Sequence, residues 1–146
     1  MNSYTPDRVI NGTFGEVWCD NEYVAEVTGL EAIVKFDTQD VKMVRTLWKG
    51  HKVTSASGSG TLKMNKVTSA FLEKGLENAK AGIGTRVVIV TKLDDPGALG
   101  TERVTLQDCL FTELKVADWE NGKLCEENLP FVFGKCPELI EAINAE

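Results

Sequence analysis

Acid–base or nucleophilic catalysis in this chain would have to use its single histidine, His51, because a Ser-His-Asp or Cys-His arrangement needs an imidazole. His51 stands in Lys49-Gly50-His51-Lys52, among basic and small residues, with no nucleophile elbow nearby. A flexible stretch of that kind is a poor support for a general base. The four cysteines, Cys19, Cys109, Cys125 and Cys136, include no CxxC pair, and one histidine with scattered thiols gives no zinc-ligand spacing. They read as small hydrophobes, buried or half-buried. Asp94-Asp95 runs into Pro96-Gly97, which is turn chemistry, whereas a calcium loop needs oxygen donors along a longer segment. Gly58-Ser59-Gly60 and Gly82-Ile83-Gly84 lack the further glycines and the lysine of the nucleotide-binding loops. No catalytic, metal or cofactor site is assigned.

A different chemistry is available to the basic residues. Lys42, Arg45, Lys49, Lys52, Lys63 and Lys66 form a stripe with Trp48 among them, as phosphate contact combined with base stacking would require. The formal net charge of −6 opposes nucleic-acid binding as the main role. The distribution says more than the total. Residues 35–66 carry seven basic and two acidic groups, residues 1–34 one basic and six acidic, and residues 108–146 three basic and nine acidic. A basic middle between acidic ends suits faces that meet between copies of one chain.

The elements that must hold these residues are mostly strands. A length of 146 residues suits one domain with one ordinary core, spanning 1–146. Residues 1–12 read as an irregular arm, broken by Pro6 and Asn11-Gly12, and the Asn11-Gly12-Thr13 sequon reads as a turn. Glu16–Cys19 and Tyr23–Val27 flank Asp20-Asn21 as a hairpin, and Leu30 to Phe36 alternate with period two. Residues 37–60 read as an extended loop or arm. Val41–Trp48 has some strand character, but the run Thr54-Ser55-Ala56-Ser57-Gly58-Ser59-Gly60 has little to anchor in a core. The spacing of Phe71, Leu72, Gly75, Leu76 and Ala79 predicts a helix with Thr68 as N-cap, a Val67–Leu72 staple and Gly82 at C′. Thr85–Leu93 reads as a central strand, Glu102–Gln107 and Cys109–Val116 as further strands. Leu124–Phe133 follows, with Pro130 pointing to an edge, and a short terminal helix begins at Pro137. The expected fold is mainly β: an antiparallel β-sandwich or partly open barrel with one packed α-helix and a short C-terminal helix. No apolar run approaches the roughly 18–20 residues of a membrane span, and Met1–Ile10 lacks signal-peptide features, so folding in a cytoplasm is expected.

Several segments, in order, resemble the tail tube (core) proteins of contractile-tailed phages, PBSX-like prophages and phage-tail-like bacteriocins. They are Gly50-His51-Lys52 leading into Gly58-Ser59-Gly60-Thr61, Lys66-Val67-Thr68-Ser69 with Phe71, Gly100-Thr101-Glu102-Arg103-Val104-Thr105-Leu106 with Asp108, and Leu129-Pro130-Phe131-Val132-Phe133. The likeness covers roughly residues 12–140. The chain departs from the family at Asp20-Asn21, where an Asp-Gly turn is common, and in its arm and cysteines.

That resemblance implies a non-enzymatic subunit without a cofactor. Six copies would join their sheets into a ring, and rings would stack into a hollow tube inside a sheath. Its companions would be the sheath, tape measure, baseplate and tail terminator proteins, with DNA or ions crossing the lumen without specific binding. The residues expected at contacts between copies are Lys42, Met43, Arg45, Trp48, Lys49, His51 and Lys52. Another tail or baseplate component of related fold, or a soluble β-sandwich module for a ligand or nucleic acid, are the alternatives.

Overall fold

The computed structural model describes residues 4–144. Eight strands and one α-helix follow each other in the order β1 (Gly15–Cys19), β2 (Glu22–Tyr23), β3 (Val27–Val41), β4 (Gly50–Asn65), α1 (Ala70–Lys80), β5 (Arg86–Leu93), β6 (Glu102–Phe111), β7 (Glu126–Phe133) and β8 (Glu138–Glu141). All pairings are antiparallel, in the order β2-β1-β5-β6-β7-β4-β3, with β8 also on β6.

Period-two alternation decides which face is inside. Val17 and Cys19, Val87 and Ile89, Leu106 and Cys109, Leu129, Phe131 and Phe133, and Leu62 and Met64 project to one face and form a single buried cluster. One sheet contributes all of them, so it folds over on itself, and β1 comes alongside β3 without a ladder between them. This is the expected sandwich with a partly open seam. The fold-over is made at β6, where Asp108 takes a left-handed φ of 55° and is held by Arg86 at 2.7 Å. On either side of that kink β6 serves different partners. Cys109–Phe111 pairs with β7, and Arg103–Thr105 pairs with β8.

Local chemistry accounts for most ends. Asp20 and Asn21 both have positive φ (50° and 68°), the two-residue turn that suits strand twist, and the Asp20 carboxylate accepts from the Val88 N–H at 2.9 Å. Helix α1 ends with Gly82 at φ 73°, its N–H donating to the Ala79 carbonyl and that of Ile83 to the Asn78 carbonyl, as a glycine at C′ should allow. The arm is fastened: Asp95 accepts from the Asn11 and Gly97 N–H groups, both at 2.8 Å, and Arg8 donates to the Gly97 carbonyl. Asp94-Asp95 is therefore a structural turn. Pro130 lies where the β6 ladder ends; its carbonyl accepts from the Thr112 N–H, so its missing donor also faces that side.

Four expectations are corrected. Residues 50–60 are strand, part of the 16-residue β4, and only 42–49 form a loop. Two of the small residues are glycines for want of space: Gly58 pairs with Phe133, whose ring an added Cβ would strike, and Gly60 pairs with Phe131, where a Cβ would meet both the Glu31 carbonyl and that ring. Glu138–Glu141 is a strand, not a helix, because Arg103–Thr105 offers a free β6 edge and no surface covers a helical face there. The N-cap of α1 is Ser69, and Val67 is 70% exposed, so the staple does not form. Residues 112–116 leave the sheet after β6, and Leu114 packs against Gly75 of α1.

Phe131→Ala should destabilise the protein by about 3–5 kcal/mol, read from urea denaturation. Gly58→Ala should be clearly destabilising while Gly12→Ala, with open space around it, should be neutral, and equal effects would contradict the ring-over-glycine packing.

Candidate assembly interface

Beyond the point where β7 stops, β3 and β4 continue as a two-stranded ribbon. β7 pairs with β4 from Asn65 back to Gly58, whereas β3 and β4 remain paired from Lys35↔Ser57 out to Val41↔Gly50. At about 3.3 Å per residue, residues 50–57 span about 26 Å. The alternation set by the core persists along this extension. Val34 and Phe36 of β3, with Ala56 and Val53 of β4, share the face that carries Leu30 and Leu62 lower down. Lys35, Asp37 and Gln39 share the other face with Ser57, Ser55 and Lys52, and Asp37 accepts from the Ser55 hydroxyl at 2.7 Å. A bulge at Thr54, where Asp37↔Ser55 gives way to Thr38↔Val53, re-aims the outer part.

The apolar face of the ribbon has no cover among the described residues. Phe36 is 62% exposed and Val53 52%. The tip, residues 42–49, turns at Arg45 (φ 67°) and leaves Val44, Leu47 and Trp48 almost bare, Leu47 at 101% and Trp48 at 83%. Met43 folds back so that its methyl group lies over Gly50. The structure thus brings Lys42, Met43, Arg45, Trp48 and Lys49 together on the tip and sets His51 and Lys52 at the start of β4. Lys42, Arg45, Lys49 and Lys52 make no ion pair among the described residues. His51 faces Asp40 across the ladder, Nδ1 to Oδ1 at 3.0 Å, both exposed, with no nucleophile placed against it. Phe36 lies on the apolar face expected from the Leu30–Phe36 alternation, though it was not among the expected contact residues; Val53, Val44 and Leu47 were not among them either, and nothing in the small-residue run announces Val53 as a neighbour of Phe36.

The thiols shifted most are core groups: Cys19 is raised from 9.0 to about 11, by burial first and then by the Asp20 charge, and Cys109 is likewise raised to about 11 by burial. Among the described residues no cluster of three or more His, Cys, Asp or Glu side chains could hold a metal ion, and no helix is long and apolar enough to cross a membrane.

The profile of the family described as "Phage tail tube protein" matches residues 2–138. This chain belongs to that family. It is 35% identical over 128 residues to the "Phage-like element PBSX protein XkdM" of Bacillus subtilis (strain 168), covering 86% of this chain and 87% of the relative. Two solved structures share its fold at low identity. One is a chain of the anti-feeding prophage tube-terminating cap (TM-score 0.73, 11% identity, 97% of this chain and 95% of that one). The other belongs to the extended sheath–tube complex of an extracellular contractile injection system, PVC (TM-score 0.71, 9% identity, 94% and 100%). The protein is a structural component of phage-tail-like particles and not an enzyme.

Cys19 and Cys109 should react with a thiol reagent at pH 8 only after unfolding, whereas Cys136, exposed, should react in the native state. Their folded pKa lies above the unfolded value, so the stability they confer is complete below pH 9 and lost as the pH rises through about 11. The Cys19→Ala/Cys109→Ala variant should lose that part of the alkaline slope in urea midpoints measured between pH 8 and 11.

Proposed function

We propose that this protein is the repeating subunit of a tail tube: copies join into six-membered rings, and rings stack head to tail around a hollow conduit. The observation that carries the reading is the ribbon, which runs about 26 Å past the last strand of its own sheet and carries the exposed Phe36 and Val53, with Ala56, on the prolonged core face. Monomeric proteins rarely leave such surface uncovered. A neighbouring copy is the partner that can supply the missing cover at every repeat. The edge of β3, paired on one side only, offers backbone groups to a neighbouring sheet in the same contact. The number six comes from the family likeness. The sheath, tape measure, baseplate and terminator proteins are the companions this role calls for, and DNA or ions the passengers.

Charge sets direction. The tip presents four cations within residues 42–52 and no acid, while residues 108–146 carry nine acidic groups against three basic. A contact between unlike surfaces repeats without closing and builds a filament. A tube-terminating role is the second reading, favoured by the match to the tube-terminating cap, which is as good as that to the sheath–tube complex. It differs in outcome, because a terminator caps a tube end and does not polymerise.

Val41 and Gly50 are paired, so residues 42–49 can be replaced by Asn-Gly, a two-residue hairpin turn. That variant should keep its circular dichroism and its thermal midpoint within a few degrees, yet form no tubes by negative-stain electron microscopy. Ordinary tubes from it would contradict the role given to the tip. Lys42→Glu with Arg45→Glu should raise the protein concentration needed for assembly at least tenfold in low salt, a gap that narrows toward 0.5 M salt. A gap of the same size at every salt concentration would count against charge-directed stacking.

A further inference from the structure

We propose that the groove between α1 and the segment after β6 is the seat for the ribbon tip of a second copy, with Trp48 and Leu47 as the inserted side chains. This rests on the tube reading and adds the surface that receives the tip.

The first observation is that α1 is only half covered. It is 11 residues long, and helices of that length are marginal without tertiary packing. Yet none of its residues is buried. It rests on the sheet through the edge-to-face pair of Phe71 and Phe111, centroids 6.2 Å apart, and through Leu114 against Gly75. Its stripe continues past these contacts with Leu76 40% exposed, and Ile83 beyond its end is 62% exposed. The second observation is the shape of the gap left there, a groove of about 190 Å³ lined by Phe71, Gly75, Ala79, Ile83 and Leu114, with Glu113 at its rim. Pockets for drug-sized ligands run to roughly 300–1,000 Å³, so this groove is scaled to one or two side chains. The third is charge. Glu113, the one charged residue lining the groove, makes no ion pair among the described residues, while its neighbour Lys115 is paired with Asp118. The tip holds the complement: Trp48 at 83% and Leu47 at 101% exposure, with the unpaired cations Lys42, Arg45 and Lys49 around them.

Aromatic and aliphatic anchors seated in a pocket and ringed by polar contacts are how interface energy is usually concentrated. The groove supplies the apolar floor and the unpaired carboxylate of Glu113; the tip supplies the anchors and the unpaired cations. Seating the tip would also complete the cover of α1, so the helix gains order in the same step.

The test uses the full chain with Trp48 replaced by p-benzoyl-phenylalanine, assembled from a mixture of 14N- and 15N-labelled copies, irradiated and mapped by mass spectrometry. The expected cross-links join position 48 of one isotopic copy to residues 71–84 or 111–114 of the other. Cross-links to any other segment, or within one copy only, would overturn the docking site while leaving the tube itself intact. Failure of the unmodified protein to form tubes would instead overturn the proposed function. As a second arm, Ile83→Glu lies on the exposed rim and should leave the thermal midpoint unchanged while raising the assembly concentration at least tenfold. No change in assembly with that variant would count against the groove.

Discussion

Two phenyl rings lying across two glycines fix most of what this molecule presents to its surroundings. Phe131 and Phe133 of β7 occupy the space that Cβ atoms would take on Gly60 and Gly58 of β4, and Phe131 is one of the most deeply buried side chains. A slip of one residue between β4 and β7 would set those rings against Ser59 and Ser57 and turn every following side chain to the opposite face. The packing therefore pins the register of β4, and β4 carries β3 with it. Once the register is set at Gly58, geometry dictates that Ala56 and Val53, with Val34 and Phe36 opposite, lie on the core face of the ribbon. The bare apolar surface of the extension is the core face prolonged beyond the chain's own means of covering it.

The sequence signals that proved readable were those generated locally. The helix stripe, Gly82 at C′, the Asp20-Asn21 turn, the alternation in β3 and β6 and the Val/Ile-rich run of β5 all depend on neighbours within a few residues, and each is found near its expected place. What was hidden depends on distant partners. Residues 54–60 contain no β-branched residue except Thr54; Gly58 and Gly60 are seated against Phe133 and Phe131, more than seventy positions away, and Ser55–Ser57 are held by pairing with β3. The terminal segment has both a proline suited to a helix start and an apolar spacing suited to a helix; the free edge of β6 at Arg103–Thr105 decides for a strand. The kink at Asp108 is invisible in composition, yet it lets β6 serve both β7 and β8. Of the contact residues, the charged ones and Trp48 stand out by type, whereas Leu47 and Val44 stand out only once the tip is seen to be bare.

Apolar and ionic contributions to association differ in size and in what they do. Fully burying a side chain such as Phe36 or Leu47 is worth about 1.5–3 kcal/mol. An exposed ion pair is worth roughly 0–1 kcal/mol and less in salt. In the proposed tube, affinity between copies would then come chiefly from covering the ribbon face and the tip, while the basic residues would govern approach and orientation. The placement of His51 agrees with this division, since its partner Asp40 lies within the same ribbon and the pair stays exposed.

The same charges also select among ways of pairing two sticky tips. Two-fold, tip-to-tip association would bury the most apolar residues at once, Val44, Leu47 and Trp48 against their own copies. It would also bring Lys42, Arg45, Lys49 and Lys52 against an identical set of cations, with no acid in residues 42–52 to separate them. Like charges forced together in an interface cost several kcal/mol, enough to offset the burial of one or two apolar side chains. That repulsion counts against closed dimers, and in the proposed tube a tip would instead meet a different, acidic surface on its partner. In that reading every copy would offer such a surface and keep its own tip free. Contact of this kind propagates without end, which is the property a tube requires of its building block.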